Sequence, residues 1–296
     1  MRSNLFMRWA ILACIVGSVG PRTSDGQEPK KEELSAQEIV DRMATTYAEC
    51  KSYQDTGVVQ TVFIHPNNRR TDRKPFMTAF LAQDRFRFAY KTIRAGGDES
   101  QQIIWRQGAD VQTWWDVRPG IEKPRSLEFA LSAAHGVSSK SSGRIPRLLM
   151  SEELGGVQRW GLGRLKRLPD EKLGTFDCYR IEGTLYSLRP KVTSKGLDPT
   201  EVKAAEEAVR EVLKAKGVSE DVIQRSVQAV KLAQQAPQNA VNGPQVLWID
   251  KASFLVRRID EQTTFDNFRT ETTTTYEPVL DGPVGDQQLA FDPPQR

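Results

Sequence analysis

Val246–Pro294 reads VLWIDKASFLVRRIDEQTTFDNFRTETTTTYEPVLDGPVGDQQLAFDPP. Apolar and polar residues alternate in blocks rich in β-branched and aromatic types, and turn residues separate the blocks. That is the period-2 pattern of consecutive antiparallel strands. It implies a sheet built from neighbours in sequence, and it carries no catalytic motif.

The same pattern extends upstream. Val58–Ile64 and Pro75–Ala82 are apolar on both faces, and in Arg85–Tyr90 the residues Phe86, Phe88 and Tyr90 share one face with Arg85 and Arg87 on the other. Gly96-Gly97-Asp98 and Gly108-Ala109-Asp110 bracket a strand at Gln102–Arg106, and Val111–Val117, Arg164–Leu168 and Phe176–Leu188 follow. Turn signals at such regular spacing indicate a meander and not βαβ units. Strands apolar on both faces need cover on both. Helices packed on one side supply it, or a curved sheet enclosing its own concave face does.

Three regions break the strand period. Ser35 with Glu38 forms a capping box, Leu34 and Ile39 take the staple positions, and Ile39, Met43, Tyr47 and Cys50 make an apolar stripe that packs a helix on the sheet. Leu127, Ala130, Leu131 and Ala134 suit a second helix, and Ile145, Leu148 and Leu149, with Pro146 in an early-turn position, a third, with the polar Gly136–Gly143 expected to be mobile between them. Residues 189–243 read as a helical hairpin inserted between two strands, from the Asp198 cap and Pro199 to a second helix ending before Pro237. It is either a charged decoration or an arm that docks a partner.

Arg2 and Arg8 flank the apolar run Trp9–Val19, which reads as a secretory signal over residues 1–20, with a lipoprotein signal at Cys14 as the rival. The run is too short for a transmembrane helix, which takes about 20 residues. Residues 21–33 read as a disordered leader. The expected product is an exported, periplasmic or secreted chain without a stable transmembrane anchor. The formal charge of +4 falls when Arg2 and Arg8 leave with the signal, so there is no case for nucleic acid. Cys50 and Cys178 then form either one disulfide, stabilising by roughly 4–5 kcal/mol for so long a loop, or two buried thiols.

The chemistry-bearing residues are few. His65 and His135 have no Cys or His at ligand spacing, so no metal site and no cofactor are expected. The serines of GVSSKSSG lack the spacing of a nucleophile elbow, and Gly155-Gly156 and Gly161-x-Gly163 lack the context of a phosphate loop. Glu152-Glu153 reads as a helix surface. The expectation is a protein that is not an enzyme. A chain of aromatics remains on consecutive strands: Phe63, Phe76, Phe80, Phe86, Phe88, Trp105, Trp114, Trp115, Trp248 and Phe254. They line a concave side or fill the core.

One resemblance bears on that choice. Trp248-Ile249-Asp250-Lys251, a turn, Leu255-Val256-Arg257-Arg258-Ile259, a Thr-rich strand and the closing Phe291-Asp292-Pro293-Pro294 resemble a recurring hairpin of the bacterial lipoprotein-carrier (LolA-like) superfamily. The resemblance spans about 33–294 apart from the insertion. It implies an α+β domain over 34–294: a strongly curved antiparallel sheet, or half-barrel, with an N-terminal helix and short lid helices over its open side. It also implies a periplasmic lipid- or lipoprotein-binding protein, in which Phe63, Phe76, Phe80, Phe86, Phe88, Trp105, Trp115, Trp248 and Phe254, with Leu131 and Leu148 from the lid, line an acyl-chain cavity. The partner is then an acyl-chain lipid or a lipidated protein. The alternative on this scaffold is an envelope sensor or interaction module that docks a protein through 189–243.

Overall fold

The structure, a computed structural model, describes residues 33–82, 84–93, 99–117, 120–185 and 241–294, with isolated positions between 203 and 227. Helix α1 (Ala36–Glu49) starts where the capping box places it: the Ser35 N–H donates to Glu38 Oε2 at 2.8 Å and the Glu38 N–H to Ser35 Oγ at 3.2 Å. Ile39, Met43 and Tyr47 are fully buried, so the apolar stripe is the packed face.

Among the described residues, twelve strands form one antiparallel sheet. The first six are β1 (Ser52–His65), β2 (Asn68–Leu81), β3 (Arg85–Ile93), β4 (Glu99–Gln107), β5 (Asp110–Trp115) and β6 (Ile121–Glu122). The second six are β7 (Leu162–Leu173), β8 (Phe176–Leu185), β9 (Val241–Asp250), β10 (Val256–Thr264), β11 (Arg269–Tyr276) and β12 (Val279–Leu280). Their order is β6-β5-β4-β3-β2-β1-β11-β10-β9-β8-β7, with β12 on β1. The sheet is an open, curved half-barrel with edges at β6 and β7. The C-terminal stretch supplies the centre, because β11 pairs with β1 from Gly57↔Tyr276 to Ile64↔Arg269. The strands are longer than the apolar runs suggest, since the polar ends of β1 and β2 still pair out to His65↔Asn68.

Strands β8 and β9 pair directly, Cys178↔Asp250 to Thr184↔Pro244, although residues 186–240 separate them in sequence. The described residues there include helical positions, among them Arg210 and Glu220, paired at 3.0 Å, and the buried Ile223 and Val227. The remainder of the expected hairpin, the signal and nearly all of the leader lie outside the described residues.

Cover comes from both sides. On one face α1, α2 (Leu127–Ala134) and α3 (Ser141–Leu149) pack on Phe76, Phe80, Phe86, Phe88, Leu247, Ile249 and Ile259 in one continuous core. On the other face Ala89, Ile103, Trp105 and Trp114 form a second cluster under Phe291. The chain following α4 (Asp286–Leu289) is held there by Arg87, whose guanidinium donates to the Ala290 carbonyl at 2.8 Å, while Arg85 pairs with Asp286 at 2.6 Å. That is why β2 reads as apolar on both faces: Phe76 and Phe80 enter the first core and Met77 packs on the second cluster. Gly57 is required by this packing: a Cβ there would stand 2.4 Å from the Thr275 carbonyl and 2.3 Å from the Phe76 ring.

The cysteines do not form the disulfide considered above. Cys50 and Cys178 are free, buried thiols. Cys50 belongs to the helix-side core, whereas Cys178 alternates with Ile181 and Tyr179 of that core and points to the other face. Burial, then the charge of a neighbouring carboxylate, raises Cys50 to about 12 and Cys178 to about 11, so both stay protonated.

Candidate functional site

The helices α2 and α3 pack with α1 on one face of the sheet, joined by the turn between them. Ser126 caps α2, its Oγ accepting from the Phe129 N–H at 3.1 Å, and Leu127, Ala130, Leu131 and Ala134 face inward as their spacing predicts. Phe129 is left 46% exposed and Val137, in the turn, 41% exposed. Large apolar side chains held in water beside a pocket are the feature that marks this region.

The turn differs from its sequence reading. The last three residues of GVSSKSSG, Ser141–Gly143, open α3, and Ser138, Ser141 and Ser142 are buried. Ser142 Oγ donates to the Leu131 carbonyl at 3.0 Å and Ser141 Oγ to the Ser138 carbonyl at 2.8 Å, so the hydroxyls replace solvent for each other and for the end of α2. Ser139 and Lys140 adopt left-handed backbone with φ of 51° and 73°, a conformation that costs non-glycine residues energy and is held by its surroundings.

Two tethers hold it. The Lys74 ammonium on β2 donates to the Val137 carbonyl at 2.8 Å and to Ser139 Oγ at 3.0 Å. Glu261 on β10 accepts from Lys140 at 2.8 Å and pairs with Arg144 through its other oxygen. Burial works against the Glu261 charge, but Arg144 and Lys140 more than offset it and hold the carboxyl below its usual range. His135, at the end of α2, is pushed down to about 4 by burial and by the Arg147, Arg144 and Lys140 cations, so it is neutral near pH 7.

Space remains on each side of this turn. A pocket of about 190 Å³ lies between α2 and strands β4 to β6, walled by Trp115, Phe129, Ala130, Ala133 and Val137. A second, of about 350 Å³, opens over the threonine-rich strands and is walled by Thr61, Thr263, Thr270, Thr272, Phe265 and the turn itself. Gly136 and Val137 are consecutive and line different pockets, so the turn is the partition between them.

The aromatic residues expected in a cavity divide among several places. Phe76, Phe80, Phe86, Phe88, Leu131 and Leu148 are brought together, but as a packed core. Trp115 lines the smaller pocket beside α2. Trp105 lies on the opposite face against Phe291 at 5.3 Å, and Trp248 lies between Arg180 and Arg258, whose guanidinium carbons are 5.3 and 4.8 Å from its ring centre. Phe63 sits under Arg70 near the tip of the β1–β2 hairpin, and Phe254 packs on Tyr179 at the core's edge. Sequence reasoning passed over Glu261, Lys140, Arg144 and Arg147. Their signals were present: three cations at helical spacing, and a carboxylate two residues from Ile259 on the inward face of a strand. Among the described residues no three His, Cys, Asp or Glu side chains are grouped to hold a metal, and no helix is long and apolar enough to cross a membrane.

No family model and no curated protein matches the chain. Among solved structures it is similar to the Mycobacterium tuberculosis lipoprotein LppX, at 10% identity over 84% of this chain and 97% of that one, with a TM-score of 0.39. A LolA superfamily protein from Nitrosomonas europaea is 13% identical over 88% and 99% of the two chains, with a TM-score of 0.30. LprF from Mycobacterium bovis is 9% identical over 84% and 94%, with a TM-score of 0.36. The identities are low and the structural overlap with each is partial.

Proposed function

We propose that this protein is a non-catalytic binding protein of the bacterial envelope that holds an acyl chain under the α2–α3 turn. The observation that carries the reading is a pocket walled largely by Trp115, Phe129, Ala130, Ala133 and Val137, in which Phe129 and Val137 stay exposed. The ligand runs from the Trp115 pocket beneath the turn into the threonine-walled pocket, and displacement of the turn joins the two. Each methylene taken from water contributes about 0.8 kcal/mol. The free ligand is a lipid or the anchor of a lipidated protein. The envelope location is supported by the export-signal reading of residues 1–20.

Delipidated protein is expected to bind a fluorescent fatty acid, with Trp115→Ala and Phe129→Ser each weakening it about tenfold, equivalent to ~1.4 kcal/mol. Equilibrium titration of probe fluorescence checks this. Uptake no greater than that of an unrelated soluble protein, or affinity untouched by both substitutions, contradicts the reading.

A further inference from the structure

Beside the larger pocket lies a recess of about 190 Å³ whose walls include His135, Lys140, Arg144, Arg147, Arg159 and Trp160. His135 and Lys140 line both spaces, so the recess is the polar end of the same trough. We propose that it binds the phosphate of an anionic amphiphile whose acyl chain occupies the trough; this rests on the acyl-binding reading above.

The recess carries more positive charge than its described neighbours neutralise. Glu261 engages Lys140 and Arg144. Arg147 and Arg159 share only a weaker carboxylate, Glu128, which stands 3.9 Å from Arg159 with both side chains about half exposed. The polar contact between these two cations is a long one, Arg147 Nη1 to the Arg159 carbonyl at 3.5 Å. Arg144 is 5% exposed, yet its Nε has no hydrogen-bond acceptor among the described residues. A buried guanidinium with a spare donor, next to two more, fits an incoming oxyanion. Guanidinium forks match phosphate oxygens two at a time, and a dianion answers the excess charge better than a carboxylate does.

Two glycines keep the recess open. A Cβ on Gly143 would stand 2.8 Å from His135 Nδ1, and one on Gly155 would stand 2.5 Å from the Arg159 stem. Trp160 fixes the floor, its indole N–H donating to the Arg144 carbonyl at 3.0 Å. His135 stays neutral because of its burial and then because the cations around it oppose a further charge. It is therefore free to donate to an anion without being repelled by the arginines.

The test is calorimetric titration of the delipidated full chain with 1-oleoyl lysophosphatidate, monooleoylglycerol and inorganic phosphate. Lysophosphatidate is expected to bind about tenfold or more tighter than monooleoylglycerol, and Arg147→Gln with Arg159→Gln to bring that ratio to about one. Should the glutamine pair fail to fold, Arg147→Lys with Arg159→Lys keeps the charge and is expected to keep a reduced preference. A ratio near one in the unaltered protein overturns the phosphate assignment and leaves acyl binding standing, as does a preference that survives the glutamine pair. Inorganic phosphate binding through Arg147 and Arg159, with no uptake of either lipid, overturns the amphiphile and the acyl reading together.

Discussion

Replacing Glu261 with alanine is expected to lower the unfolding free energy by about 3–5 kcal/mol, the usual loss when one partner of a buried ion pair is removed. Glu261 is 8% exposed and Arg144 5% exposed, so the substitution strands a guanidinium where water does not reach. Lys140, about a third exposed, can turn to solvent and adds little. The loss should be coupled: pairing Glu261→Ala with Arg144→Met removes both charges and should recover much of the stability, because the remaining side chain no longer needs a counter-ion. Denaturant titration of the three variants decides it. A single-variant loss below about 1 kcal/mol would mean that Arg144 finds another partner. The same substitution unties the turn from β10, so probe binding is expected to become faster in the variants that still fold.

A second large effect concerns Asp55, buried at 4% exposure among Tyr47, Tyr53 and Tyr276. Burial raises its carboxyl to about 6, although it accepts from the Tyr53 hydroxyl at 2.7 Å and the Thr78 N–H at 2.8 Å. The folded value lies above the unfolded one, so the linked stability is fully present below about pH 4 and is lost as pH rises through 6. His135 acts in the opposite sense: its depressed value means stability lost as pH falls from the ordinary histidine range toward 4. The two nearly cancel in the unaltered protein, so the readout is a difference. Asp55→Asn should be more stable than the unaltered chain at pH 8, and that advantage should shrink by about 2–3 kcal/mol by pH 4. Urea titrations at the two values check this. A difference independent of pH would mean that Asp55 is already neutral, or is solvated, throughout.

Most of the sheet was legible because its strands pair with sequence neighbours, which alternation and turn residues reveal; the β1–β11 pairing at its centre joins residues about 200 apart and leaves no local signal. The capping box at Ser35 and the stripe on α1 were equally local signals. The face of each aromatic was harder to read. On β4 and β5 both faces are apolar, and only the C-terminal Phe291, arriving from the far end of the chain, shows that Trp105 and Trp114 point away from the helices. The serine-rich turn read as mobile because composition does not reveal that Ser142 would find the Leu131 carbonyl. The ionic tethers were invisible for a similar reason: Glu261 lies 121 residues from Lys140.

An acyl chain lying under the α2–α3 turn would touch residues that a reactive probe can report. The most direct measurement is photolabelling of delipidated protein with a diazirine-bearing fatty acid, followed by peptide mapping. Label is expected on Trp115 and on Phe129–Val137, competed away by unlabelled fatty acid. Labelling that resists competition, or that falls on Trp105 and Phe291 of the opposite face, would contradict it.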